Sequence, residues 1–469
     1  MAFDKYKSVR GYPIGKLQPV RYVGTTSATS DEELPKKPMS LWGKMDLTIQ
    51  KEGEGVYVED NAAPTSGYNF PEDEVTIEAG ATTGNFILFL GNYLESAITV
   101  EVFLDGSDSK LKAVASRING ATVLASGDTK ILNNAATVDP SAVYLSSTTF
   151  GVSYCDDGGD DYLGAIICSV DRDTLVITAG TEKLLVSTAL AKGAGTAIAS
   201  PRSGVITVGY VLNSDKKGLA IACLYTGTTF ATTPGTAVEF DGGNDTKELS
   251  ICSHDTGDIT LVYQAGGDAN DPITACCGTV SAAGAIVFGD EVSMAGTAAA
   301  ATSISCASPF KDAVVFTWVD STFAHINSMS ISSITPTKKT ELELTSTAAL
   351  TPGLCVLGTN LYAVVIEDDA HASDVGKLYL VNNAAYTLTA DTGSPHLVTS
   401  ASTRSTKICR LDSPDQTTVA VFFADVDDGT KGKVVVGLWK DNLIDVRANV
   451  ASAAYRLWVF PHPGRRRKA

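Results

Sequence analysis

Charge is scarce in this chain of 469 residues, of which only 19% are Asp, Glu, Lys or Arg. Its apolar residues are plentiful but never form the run of about 18 that would cross a membrane as a helix. The opening Met-Ala-Phe-Asp-Lys-Tyr lacks the apolar core of a signal peptide, which points to synthesis and first folding in a reducing cytoplasm. Gly-x-Ser-x-Gly, phosphate-binding glycine loops, His-Glu-x-x-His and the dinucleotide fingerprint are all missing. The five histidines, His254, His325, His371, His396 and His462, share no common setting and none adjoins a nucleophile motif. The expectation is therefore a protein that is not an enzyme. No Cys-x-x-Cys or Cys/His spacing for zinc occurs among the nine cysteines, so a zinc site is not expected.

What the chain does contain is a repeat. One copy runs Leu249-Ser-Ile-Cys-Ser-His-Asp-Thr-Gly-Asp-Ile-Thr-Leu-Val-Tyr-Gln-Ala-Gly-Gly-Asp268: an apolar strand bearing a cysteine, a tight turn, a second apolar strand and an acidic turn. Similar turns recur at Asp105, Asp156, Asp215, Asp320, Asp368 and Asp427, so that successive turns lie 48 to 59 residues apart. Cysteines mark the same period independently. Cys252, Cys306, Cys355 and Cys409 precede the second strand at spacings of 54, 49 and 54, and Cys168, Cys223 and Cys276 follow the acidic turn at spacings of 55 and 53. Thiols at repeat-equivalent strand positions read as buried, reduced, small hydrophobes rather than a disulfide framework. Cys276 and Cys277, being adjacent, should face opposite sides of their strand.

Each copy divides into four strands, as in Ala142–Ser146, Phe150–Tyr154, Tyr162–Cys168 and Thr174–Thr178. Seven such antiparallel sheets packed radially would leave no long exposed edge, so the expected fold is all-β, a seven-bladed β-propeller of four-stranded repeats. A row of small sandwiches fits less well, because a copy is about half the length of a sandwich domain. The organisation expected is an extended docking arm over residues 1–40, a β-hairpin region over 41–80, the propeller over 81–450, and a C-terminal strand and basic tail over 451–469. Within 41–80, Met45–Ile49 and Val56–Val58 alternate around Lys51-Glu-Gly-Glu-Gly55.

The net charge of −17 is unevenly spread: residues 1–21 and 465–468 each carry +4, leaving −25 on the body. Such a body repels nucleic acid and anionic membranes, while its ends seek acidic neighbours. Phe3, Tyr6, Tyr12 and Tyr22 interleave with the cations of the arm and are the candidate docking residues. In a radial arrangement the acidic turns share one rim, with Asp156, Asp268, Asp320, Asp368 and Asp427 as its candidate residues. The cluster Asp156-Asp157-Gly-Gly-Asp160-Asp161 has the oxygen density that calcium needs. Its spacing matches no calcium loop, however, and Asp and Gly are ordinary hairpin residues. The expectation is no cofactor, with calcium as the alternative.

A Trp-Asp blade ending, paired kelch glycines and the Ser-x-Asp-x-Gly-x-x-Trp box are absent, which lowers a glycan-hydrolysing reading. The unprocessed start, the basic aromatic arm, the thiol-bearing Thr/Ser/Ala/Gly-rich β-repeat body and the basic tail together resemble a structural protein of a tailed-bacteriophage virion. Among these proteins the tail nozzle of short-tailed phages is similar, being a propeller of comparable size. The resemblance is one of architecture and composition over the whole chain and transfers no residue-level site. It implies a virion location after synthesis in the host cytoplasm, other virion proteins as partners, a homo-oligomer within the assembly, and an acidic body past which phage DNA slides. The alternatives are a head-fibre, decoration or receptor-binding protein contacting a host-surface receptor, and a carbohydrate-binding or glycan-hydrolysing propeller. A cellular scaffold is the third class.

Overall fold

A computed structural model describes residues 67–440 except 71–73, 121, 159–160, 243–244, 267–271, 295–301, 321, 346–347, 369–373, 392–393 and 413–416. It also describes 8–9, 12–13, 50–51 and 54–55. The chain forms two compact units, one of Met1–Ser66 with Lys440–Ala469 and one of Gly67–Trp439. In the first unit the described residues are two antiparallel pairs, β1 (Ser8–Val9) with β2 (Tyr12–Pro13) and β3 (Gln50–Lys51) with β4 (Glu54–Gly55). Tyr12 thus pairs with Val9, whereas Phe3, Tyr6, Tyr22 and the tail over 451–469 lie outside the described residues. The hairpin expected within 41–80 turns between Lys51 and Glu54, inside the stretch read as the spacer. Its expected strands, Met45–Ile49 and Val56–Val58, lie outside the described residues.

The larger unit is all β among the described residues. It opens with β5 (Gly67–Asn69), followed by seven successive antiparallel meanders. The first comprises β6 (Val75–Tyr93), β7 (Ser96–Asp105), β8 (Lys110–Asn119) and β9 (Thr122–Ser126). The second comprises β10 (Lys130–Ser146), β11 (Thr149–Asp156), β12 (Tyr162–Val170), β13 (Ile177–Ala179) and β14 (Lys183–Val186). The third runs β15 (Ala197–Arg202), β16 (Val205–Val211), β17 (Gly218–Thr226), β18 (Thr229–Phe230) and β19 (Val238–Glu239). The fourth runs β20 (Thr246–Asp255), β21 (Asp258–Ala265), β22 (Ile273–Val280), β23 (Ile286–Phe288) and β24 (Val292–Ser293). The fifth is β25 (Thr302–Phe310), β26 (Ala313–Val319), β27 (Ala324–Ser332) and β28 (Thr335–Glu343). The sixth is β29 (Ala349–Gly358), β30 (Leu361–Asp368), β31 (Val375–Ala384) and β32 (Thr387–Ala390). The seventh is β33 (His396–Asp412), β34 (Thr417–Asp425) and β35 (Lys431–Lys440), whose fourth strand is the beginning of β6.

Three long strands serve two meanders each. The first half of β10 pairs with β8 and its second half with β11, and β33 does the same with β31 and β34. In β6 the beginning pairs with β35, Val75 opposite Val434, and the rest pairs with β7. Val75–Gly80 is therefore part of the last meander, whereas the sequence placed it in the hairpin region. The larger unit runs from Gly67 to Trp439. In each of these strands a register shift lies where pairing with the second strand begins, between Thr83 and Phe86 in β6, Val138 and Ser141 in β10, and Arg404 and Lys407 in β33.

The second strand of every meander is buried on both faces, which is why it reads as an unbroken apolar run. Successive residues serve different cores: Val419, Val421 and Phe423 pack with the sixth meander, while Ala420 and Phe422 pack with the first. Seven apolar clusters each join consecutive meanders in this way, and one of them joins the seventh to the first. First strands also neighbour each other in order, from β6 to β10, β15, β20, β25, β29 and β33, and β33 adjoins β6. Val262, Val315, Val364 and Val419 are fully buried in these clusters, and Ile251 is buried with them. Cys276 and Cys277 enter different clusters, as their adjacency requires.

Candidate functional site

The acidic turns all join the second strand of a meander to its third. Asp156 and Asp368 end β11 and β30, Asp320 follows β26, Asp427 lies between β34 and β35, and Asp268 falls outside the described residues. Where they are described, their oxygens bond within their own meanders. Asp156 is buried and accepts the Gly158 N–H at 2.8 Å, and Asp320 accepts the Phe323 N–H at 2.8 Å. Buried Asp368 is ion-paired with Lys377. Exposed Asp427 accepts the Ser402 N–H at 2.9 Å.

The position equivalent to Asp368 in the last meander is occupied by Asp425, not Asp427. Asp105, Asp368 and Asp425 each end a second strand and pair with the third residue of the next strand, Lys112, Lys377 or Lys433. Burial works against ionisation of Asp105, but hydrogen bonds from Lys112 and Ser107 outweigh it and hold the pKa at about 2. Lys433 is likewise opposed by burial and raised by its bonds to Asp425 and Glu74. A lysine locked across each of these hairpins neutralises an acid that would otherwise be buried alone. Among the described residues no three His, Cys, Asp or Glu side chains come together as a metal-holding group.

A second convergence lies on the first strands, and it was not anticipated from the sequence. Pairing slips near the start of β20, β25 and β29 and midway along β6, β10 and β33, the signature of a β-bulge. Left-handed residues occupy several of these bulges: Gly84 (φ 57°), Asp139 (φ 51°), Glu248 (φ 29°), Ser303 (φ 56°) and Ser405 (φ 53°). Asp139 accepts the Gly193 N–H at 2.8 Å, and burial raises its pKa despite that bond. Burial raises Glu248 too; the Ser303 backbone bond opposes this, Asp139 adds to it and Lys407 opposes it. Burial lowers Lys407, which Glu248 partly restores, and its Nζ lies 5.7 Å from the centre of the Phe86 ring. Glu248 is influenced by both Asp139 and Lys407, so charged groups from three meanders act on one another near these bulges. Each titratable member is pushed toward its neutral form.

The only sequence signal for this cluster is an acid just before an apolar first strand, as in Glu248-Leu249. Gly84 and Gly195 stand at the corresponding places in other copies, so no shared residue type reveals the position.

The remaining polar group of note is His325, held between Asp320 at 3.1 Å and Glu341 at 3.4 Å and stacked on Trp318 at 5.1 Å. Burial lowers its pKa, but the bond to Glu341 and the charge of Asp320 outweigh burial, and the net shift is upward.

The fold and these sites define an all-β repeat protein whose polar groups are largely tied into its own hairpins. No family model and no curated protein matches the chain. Among solved structures, the fucose-specific lectin from Aleuria aurantia is 12% identical, with 71% of this chain and 99% of the lectin covered and a TM-score of 0.40. A putative 6-phosphogluconolactonase from Bacteroides fragilis is 9% identical, covering 77% of this chain and 96% of that one, at a TM-score of 0.44. A protein of unknown function from Dyadobacter fermentans is 11% identical, covering 80% of this chain and 100% of that one, at 0.43. Likenesses at this level assign no activity to the chain.

Proposed function

We propose that Gly67–Trp439 is a seven-bladed β-propeller and that the chain is a structural component of a tailed-phage virion, of the nozzle or hub kind. The observation that carries the propeller reading is the run of seven apolar clusters between consecutive meanders, with one between the seventh and the first. The start of β6 completing the seventh meander supports it, because that pairing ties the two ends of the repeat array together. A ring held in this way is a rigid spacer, and its acidic hairpins, neutralised from within, are built for stiffness rather than turnover.

Attachment falls to residues 1–40, where Phe3, Tyr6, Tyr12 and Tyr22 among basic residues suit an acidic or grooved neighbouring virion protein. The acidic body lets DNA pass without adhering. The test is to supply phage-infected cells with only the chain lacking residues 2–37 and to assay purified particles for it. The proposal expects a folded, soluble body missing from the particle. Normal incorporation would refute docking through the arm, and specific binding across a glycan array would move the protein to the carbohydrate-binding class.

A further inference from the structure

Strands β20 and β25 belong to separate sheets yet lie side by side. One link between them is the Cys306 N–H donating to Ser250 Oγ at 3.1 Å. Ser250 and Cys252 share a face of β20, two residues apart in its regular stretch, so this link brings Cys252 beside Cys306. Both thiols enter one apolar cluster, with Cys252 buried and Cys306 half-buried at its edge. Their side chains are hydrogen-bonded to each other, which together with burial raises the Cys252 pKa well above its ordinary value. The third thiol of that cluster, Cys277, is engaged by Thr260 Oγ1 at 3.1 Å.

From this arrangement we propose that Cys252 and Cys306 are a specific oxidative cross-linking site that joins the first strands of two neighbouring meanders. The co-reactant is a low-molecular-weight disulfide. The Cys306 thiolate attacks it, forming a mixed disulfide and releasing one small thiol. The Cys252 thiolate then attacks the Cys306 sulfur and displaces the second small thiol. Two protein thiols become one disulfide, and their two protons and two electrons end on the two released thiols. Cys306 is the entry point because it is the more exposed partner.

The Cys252 thiol, held protonated well above its ordinary range, reacts slowly at neutral pH, so the pair stays reduced in the cytoplasm and links only in an oxidising medium. The resulting bond closes a loop that contains β21 to β24 of the fourth meander and holds its first strand to that of the fifth. Cys355 and Cys409 provide a built-in control. They are also 54 residues apart, but they pack in different clusters.

The experiment exposes the folded full chain to oxidised glutathione at about pH 8.5, near the ordinary thiol pKa. The protein is then denatured, alkylated without reductant and digested with a protease that cuts before Asp. That cleavage separates 245–254, 271–289 and 290–311, which hold Cys252, the Cys276–Cys277 pair and Cys306 in turn. The expected product is 245–254 linked to 290–311, absent from the Cys306→Ser variant and accompanied by a higher melting temperature than the reduced protein. Glutathione left on Cys306, both thiols recovered alkylated, or a link to Cys277 would each overturn the proposal. So would a Cys355–Cys409 link in equal yield, because sharing a cluster would then not be what selects the pair.

Discussion

Glu101 offers the sharpest energetic test of the packing. It sits on β7, fully buried, with Oε1 accepting the Thr99 hydroxyl at 2.7 Å and Oε2 the Ser116 hydroxyl at 2.8 Å. Burial dominates these bonds and lifts its pKa from 4.5 to about 7. Because the folded value is raised, the fold gains most from this residue below pH 4.5 and loses that contribution as pH rises through about 7. At about 1.4 kcal/mol per tenfold change, the ionised side chain destabilises the fold by about 3 kcal/mol at alkaline pH.

Glu101→Gln removes the charge while retaining the shape. Ser116 can turn to accept from the new amide and donate to Ser126 Oγ, 3.3 Å away. Urea unfolding of both proteins at pH 5 and pH 8.5 is the assay. The variant should match the parent within about 1 kcal/mol at pH 5 and exceed it by about 3 kcal/mol at pH 8.5. A stability difference of the same size at both pH values would refute the reasoning.

Other expectations follow from the same structure. Val364→Asp places an unpaired charge in the cluster between the fifth and sixth meanders and should cost at least about 3 kcal/mol in denaturant unfolding; an unchanged melting temperature would mean the strand register is wrong. Asp105 has a depressed pKa, so its contribution persists above the ordinary carboxylate range and is lost as pH falls toward about 2; Asp105→Asn should flatten the acid limb of the stability profile, and an unaltered limb would count against the Lys112 pairing. Leu94 and Glu95 form a two-residue hairpin turn at φ 47° and 66°, so Leu94→Asn with Glu95→Gly should stabilise by about 1 kcal/mol, with a fall in melting temperature as the contrary result. All nine cysteines of protein purified under reducing conditions should alkylate after denaturation without reductant, and a smaller count would reveal a disulfide formed in the cell.

The strand order was legible because cysteines and acidic turns mark the same period, and because doubly buried strands such as Thr417–Asp425 read as solid apolar runs. Strand ends were harder to read. Ala121–Leu132 reads as one strand, yet β9 ends at Ser126 and β10 begins at Lys130. Between them Gly127 packs so close to Leu175 that a Cβ there would lie 2.4 Å from its carbonyl oxygen. A contact made across meanders leaves no local pattern. Asp427, two residues on from Asp425 in the same acidic run, is the apparent repeat position, and only the pairing of Asp425 with Lys433 across their own hairpin tells the two apart. The cluster of Asp139, Glu248 and Lys407 was invisible for a further reason: its members come from different meanders and from bulges whose equivalents are glycine or serine.

The central claim is that consecutive meanders close on themselves, and electron cryomicroscopy of the purified full chain tests it most directly. Views down the axis should show a closed ring of seven radial sheets, with the strand beginning at Val75 lying outside the one that contains Val434. An open arc, or a linear row of separate two-sheet sandwiches, would contradict the account.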